Sequence, residues 1–525
     1  MALWRDLVAG APTLVAVRRP AASPALSLLA ILLSVAAGCS DDRSGGSTAS
    51  TSTSANSTTT VPAAETTTTA AVPPDPTTST SAAAGAVGAA SAPVAAADCS
   101  VPAAYPEPWA ERPRYTVHLT VEPAKRLVTG DVAVRFVPTA DTDRLVFRLW
   151  PNAPRIGRAG GRLEVTAASV GGQSVVGRYE AGGAVAGRPG TIWIVPGTFP
   201  AAQPVDARLE FRLSLPGAIN DRVATAGRAV RLGSAIPVLS WIRGDDWQTS
   251  PATNLNAESA ATEVADWDVT VTAPAGYTTL AAGEEAGPGR FVARAVRDWA
   301  ATVAPMRVGQ APAQGGKTTV VVGVAEGAAG DPNAIAARNA RALDHLAARF
   351  GEYPYPRLTI GVTAGLTGGI EFPTHIFLGS GVATVHLVHE VAHQWFYALA
   401  GNDQYRDPWL DESFATYGQS RVDGQLAYQR GRAVPAYGRG HLGESMAYWG
   451  RADGSTYYLS VYVGGTQALA RLADRLGGYA PLDCAIRRYV HDRAYTVSRP
   501  SDFLAAVTTQ TGLDPAPTLA PFGIR

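Results

Sequence analysis

Two histidines one helical turn apart, followed by a carboxylate on a later element, constrain this chain more than any other feature. They lie in residues 384–417, TVHLVHEVAHQWFYALAGNDQYRDPWLDESFATY. On a helix, His389 and His393 occupy i and i+4 and so share one face. Glu412 follows after residues 394–411, inside W-L-D-E-S-F-A. Two neutral imidazoles on one face and a carboxylate from elsewhere make a three-donor zinc site with an open fourth position. Glu390 follows the first histidine directly and so sits beside the metal rather than on it. There a carboxylate can take a proton from a water and later give one to a leaving amine. The helix carries apolar Val385, Leu387, Val388, Val391 and Trp395. Burying three ionisable groups together without a metal is costly, so the expectation is one Zn2+ held by His389, His393 and Glu412.

The 525 residues allow two or three domains. Lys plus Arg equals Asp plus Glu at 44 each, so no net field points to nucleic acid or an anionic surface. The 3 cysteines, Cys39, Cys99 and Cys484, are too few for a disulfide-dense scaffold or a cysteine zinc cluster.

Residues 1–38 read as a signal segment. Arg5, Arg18 and Arg19 precede an apolar run from Ala25 that is short for a membrane span and ends in small residues. Ala36-Ala37-Gly38-Cys39 resembles a bacterial lipobox, with Ala36 where leucine or valine is preferred. That resemblance implies cleavage before Cys39 and lipid on its sulfur, hence an extracytoplasmic, membrane-anchored protein. An ordinary secretory signal is the alternative. Residues 39–98, rich in Ser, Thr, Ala and Pro, bury almost nothing and read as an extended tether. With Cys39 acylated, Cys99 and Cys484 remain in an oxidising compartment. Pairing cannot be read from sequence; the hypothesis is a disulfide pinning the start of the fold to its late part, against two free thiols.

Residues 99–305 alternate with period two. Tyr115–Glu122, Gly130–Phe136, Asp143–Leu149, Thr191–Val195, Ala207–Leu213 and Trp267–Thr272 read as strands separated by turn residues. The expected N-terminal part is an antiparallel β domain, with core or loop roles favoured for Trp241 and Trp247 over lining a cleft. In 306–525 the texture changes. Lys317–Val324 reads as a strand, Asp331-Pro332 as a cap and first residue of a helix ending at Gly351. Leu358–Thr363 and Ile376–Leu378 read as strands flanking Gly368–Pro373. Asp407-Pro408 repeats the cap signal ahead of Glu412, and Tyr462–Leu476 and Ala485–Val490 look helical.

HEVAHQW, the following Gly401-Asn402 and WLDESFA together resemble the gluzincin zinc aminopeptidases of the aminopeptidase N and leukotriene hydrolase type. Gly368-Gly369-Ile370-Glu371-Phe372 resembles that family's Gly-x-Met-Glu-Asn motif, with Ile for Met and Phe372 for Asn. Tyr462-Val463-Gly464-Gly465 resembles its Tyr-x-Lys-Gly, with Gly464 for Lys. The likeness covers 350–476 and, more loosely, the first β strands. It implies a multidomain α+β chain: the β domain followed by a thermolysin-like, mostly helical zinc peptidase domain. It also implies a general base at Glu390 and Glu371 binding the substrate's α-ammonium. Gly368 and Gly369 would offer backbone to an extended peptide, and Tyr462 would donate to the oxyanion. Tyr457 and Tyr458 are the nearby alternatives to Tyr462. Asp411 and Ser413 stand where Asn and Gly are common, with no expected effect on ligation. His386 is assigned a role beside the ligands or at the surface, and Trp395 and Phe396 to the core.

The resulting expectation is a zinc aminopeptidase acting on peptides with a free N-terminus, with no nucleic-acid partner. Because the chain ends at Arg525, soon after the catalytic region, the large helical C-terminal domain of many relatives is expected to be missing and the cleft more open. The rival readings are an open-cleft zinc endopeptidase and a non-catalytic surface lipoprotein with a structural metal.

Overall fold

The computed structural model describes residues 99–255, 261–382 and 384–525. The expected signal segment, the tether and Cys39 lie outside the described residues. Strand Arg114–Glu122 shows why the first part is a sheet: Tyr115, Val117, Leu119 and Val121 point inward while the residues between them face out. It lies inside an eight-stranded sheet, flanked by Leu127–Phe136 and Ala265–Thr272. The first pairing is antiparallel, but the second is parallel, with Val117 opposite Val269. The expected all-antiparallel domain is therefore corrected. Alternation has period two in both kinds of ladder, so it cannot report that a strand from far along the chain returns in the same direction. Two four-stranded sheets complete the β-rich part. Its core includes Trp267 stacked on Tyr115 and the Trp241–Trp247 pair against Phe136, so both tryptophans are core residues.

From Met306 a five-stranded mixed sheet begins, in the order Met306–Ala313, Thr318–Ala325, Arg357–Thr363, His375–Gly379, Gly369–Phe372. The three central strands run parallel and the two edges antiparallel. Helix α1 (Pro332–Phe350) makes the crossover between the first two parallel strands. The Asp331 side chain accepts from Asn333 N–H at its start, and Gly351 ends it at φ 108°, as the sequence predicts.

The remainder is mostly helical: α2 (Thr384–Ala392), α3 (Trp409–Asp423), α4 (Gly464–Arg475) and α5 (Tyr479–Arg493) are its main elements. Two local expectations change. Asp407 does not cap α3; Pro408 takes that place and no side chain caps it. The predicted helix from Tyr462 opens with a π turn, Leu459–Val463, before α4 begins. Trp395, Phe396, Phe414, Leu469 and Tyr489 share one core with Leu343, Leu346 and Phe350 of α1, which holds α2 and α3 together.

Cys99 and Cys484 are joined, fixing the first described residue to α5. Arg488 of the same helix donates to Ser100 O at 2.7 Å, and Tyr105 OH donates to Glu352 O at 2.8 Å.

Candidate metal centre and its surroundings

His389 and His393 come from the last turns of α2 and its immediate continuation, where His393 N–H still donates to His389 O. Glu412 comes from the first turn of α3. The two Nε2 atoms lie 3.1 Å apart, and Glu412 Oε2 lies 3.3 Å from the first and 3.4 Å from the second. All three predicted donors therefore converge on one point. His386 on the same helix is half-buried and is not one of the converging donors.

A second set overlaps the first. Glu371, Glu390 and His393 each bring one donor atom within 4.8 Å of the others, all buried. Glu371 projects from the edge strand Gly369–Phe372, whose alternation sends Phe372 the other way, into a cluster with Phe377 and Leu366. The Asn-to-Phe departure therefore changes the core and leaves Glu371 in place. Gly369 has a reason beyond substrate approach, since a Cβ there would lie 2.4 Å from Glu390 Cγ. Gly368 sits at φ 85°, the left-handed region that glycine tolerates.

Tyr462 stacks on the His389 ring at 5.7 Å and donates to Glu412 Oε1 at 2.5 Å. Tyr457 and Tyr458 both pack against the Tyr462 ring, at 5.9 and 4.8 Å. Burial and then the Glu412 charge hold the Tyr462 phenol well above its usual pKa, so it stays a donor. Gly465 is explained by helix packing: a Cβ would lie 1.8 Å from Ser413 Oγ, where α4 crosses α3.

Three contributors escaped the sequence reading. Asp411 Oδ1 lies 2.6 Å from His393 Nδ1, and Gln404 Nε2 donates to its other oxygen at 2.5 Å. A carboxylate on the far nitrogen fixes which imidazole nitrogen faces the cluster. Arg297, buried in the β-rich part, lies against Gly401, where a Cβ would be 2.1 Å from its Cζ, and donates to Thr496 O at 3.2 Å. Gln394, two residues past the end of α2, bonds to Thr374 N–H and Phe372 O in the Glu371 hairpin. The signals were Asp at 411, Gly at 401 and Gln at 394, each readable only once its partner is known.

The electrostatics ask for a cation. Glu371, Glu390, Asp411 and Glu412 crowd two imidazoles, all of them buried or nearly so. At His393, burial disfavours charge, but Glu371, Asp411 and Glu412 outweigh it and raise the pKa well above the usual value. At His389 burial dominates and lowers it. At Glu412, burial is outweighed by both histidines and the carboxyl falls to about 2, so it is ionised. Two imidazole nitrogens and an ionised carboxylate oxygen, converging in a buried anionic setting, fit zinc in chemistry and number.

No protein-family model matches the chain. Human aminopeptidase B is 27% identical over 161 residues, covering 26% of this chain and 24% of that protein. The chain thus spans about a quarter of the length of the curated relative it matches. Solved structures match far more of it. The M1 zinc metallopeptidase of Deinococcus radiodurans superposes with a TM-score of 0.58 at 20% identity, over 80% of this chain and 96% of that one. A Glu-to-Ala variant of that protein bound to a Tyr-Ser-Ala substrate gives the same values. A two-domain M1 zinc metallopeptidase variant bound to L-arginine gives 0.58 at 21% identity over the same shares. The described chain has the fold of these metallopeptidases.

Proposed function

We propose that a chain with this fold and donor set is a zinc-dependent aminopeptidase that removes N-terminal residues from peptides. We further propose that it works at the outer face of the cell membrane, carried there by lipid on Cys39 behind the 39–98 tether. The observation that carries the first part is the adjacency of Glu371 to Glu390 and His393. A fixed carboxylate beside the metal donors suits a peptide whose terminal ammonium lies close to its scissile bond.

Zinc held by His389, His393 and Glu412 would polarise the scissile carbonyl and acidify the attacking water. Glu390 accepts the proton of that water and returns it to the departing amine. Glu371 binds the free α-ammonium, so a substrate lacking that charge loses its hold. Gly368 and Gly369 leave their backbone open to an extended chain, and the Tyr462 hydroxyl serves the oxyanion that develops on the carbonyl. Asp411 keeps the His393 ring oriented.

Metal analysis combined with a panel of free-amine and N-blocked reporter peptides tests this directly. Equal turnover of blocked and unblocked peptides would remove Glu371 from its role and favour an endopeptidase. A Glu390→Gln protein is expected to keep its zinc while kcat falls by about 10²–10⁴; unchanged turnover would overturn the mechanism.

A further inference from the structure

The strand that carries Glu371 turns back on itself in two residues. Phe372 pairs with His375, leaving Pro373 and Thr374 as the turn. Proline suits the first turn position, but the second needs positive φ, where glycine is usual. Here it is Thr374, at φ 62°. A β-branched residue in that region is a true outlier, and such strain persists only where the surroundings over-determine it.

They do so from several sides. Thr374 Oγ1 accepts from Gly283 N–H at 2.8 Å, and Thr374 O accepts from Thr359 N–H at 2.9 Å. Next to it, His375 bridges Thr359 Oγ1 at 2.7 Å and Thr302 Oγ1 at 3.1 Å, wholly buried. The remaining grip comes from the metal side. Gln394, fully buried, accepts from Thr374 N–H through Oε1 at 2.9 Å and donates from Nε2 to Phe372 O at 3.0 Å.

The chain positions make that amide unusual. Gln394 follows the metal donor His393 directly, and Phe372 follows the ammonium-binding Glu371 directly. One side-chain amide therefore closes a short path between the two halves of the site. We propose that Gln394 is a positioning residue whose paired hydrogen bonds set the distance from Glu371 to the metal donors, and thereby the enzyme's preference for a free terminal amine. The inference rests on Glu371 being the amine site. Substrate-positioning groups must be held to within about 0.5 Å, and a displacement of about 1 Å costs on the order of 10² in rate. A hairpin strained at Thr374 and released on one side relaxes away from the position the clamp imposes.

Gln394→Met keeps the side-chain length and loses both bonds. The test measures kcat and KM on a free-amine reporter, and competitive inhibition by a free amino acid against its N-acetyl form. Zinc content and melting temperature are read on the same preparations. The expected result is a KM rise of about 10–100-fold for the free-amine substrate and a similar loss of free-over-acetyl preference, with zinc retained. Thr374→Gly keeps the N–H that Gln394 binds and is expected to hold the preference within about threefold. If Gln394→Met does not fold, Gln394→Glu, which cannot donate to Phe372 O when ionised, must lower the preference in the same direction. A preference unchanged in a zinc-loaded variant overturns the inference, as does parallel loss of zinc and of both inhibitors' binding. A wild-type protein with no free-amine preference overturns the aminopeptidase reading and this inference together.

Discussion

At the scale of single residues, the site depends on what is absent as much as on what is present. Gly369 leaves the room that Glu390 occupies, so Gly369→Ala should displace a buried carboxylate that has little freedom to move. The expected outcome is a fall in kcat of about 10–100-fold with the circular dichroism spectrum unchanged, measured on the same free-amine reporter. Away from the site, Asp298 shows how burial enters the pH profile. It is wholly buried, accepting from Ser234 Oγ at 2.6 Å and Trp299 N–H at 2.7 Å. Burial raises its carboxyl to about 6, against which those bonds only partly act. Because the folded value lies above the unfolded one, its stabilising contribution is complete below about pH 4 and is lost as pH rises through 6. Relative to Asp298→Asn, the wild-type chain should lose about 3 kcal/mol of unfolding free energy between pH 4 and 7.5, at 1.36 kcal/mol per unit. Chemical denaturation of both proteins across that range checks it, and parallel curves would contradict it.

At the scale of elements, the signals within one element were legible, and Glu412, Glu371 and Tyr462 on other elements were reached through spacing and motif resemblance, but the contacts that hold the elements together were not. His389, Glu390 and His393 follow from helical periodicity, and α1 was bounded correctly by Asp331 and Gly351, because these signals act over a turn or less. Gln394, Asp411 and Arg297 act on partners that only the tertiary fold supplies. The parallel pairing of Arg114–Glu122 with Ala265–Thr272 belongs to the same class, since a strand's pattern does not record its partner's direction. The π turn at Leu459–Val463 is the clearest case. It widens one helical turn where Tyr462 must reach Glu412, as such turns often do at working sites. No residue in LSVYV announces it. Tyr462→Phe removes the hydroxyl that the turn brings to Glu412, and kcat is expected to fall by about 10²-fold with KM little changed. A loss confined to KM would instead assign the hydroxyl to ground-state binding.

For the whole molecule, Arg297 and the disulfide are two of the links that join distant parts of the chain. Arg297 spans from the β-rich part to the strand after α2, with its guanidinium pressed on Gly401 and bonded to Thr262 O and Thr496 O. Cys99–Cys484 closes a loop of sequence separation 385. Closing so long a loop removes much freedom from the unfolded chain, so Cys484→Ser should cost about 2–5 kcal/mol of stability with the metal centre intact. Comparing oxidised and reduced wild-type protein in denaturant melts, alongside the variant, tests this; three coincident curves would refute it. The same bond also decides the path of mechanical load. A pull on whatever precedes Cys99 enters the fold through a covalent link to α5, against which Phe414 of α3 packs through Tyr489. Tension therefore bypasses the segment from Ser100 to the strand Arg114–Glu122, whose contacts, among them Arg488 to Ser100 O and Tyr105 to Glu352 O, would otherwise carry it.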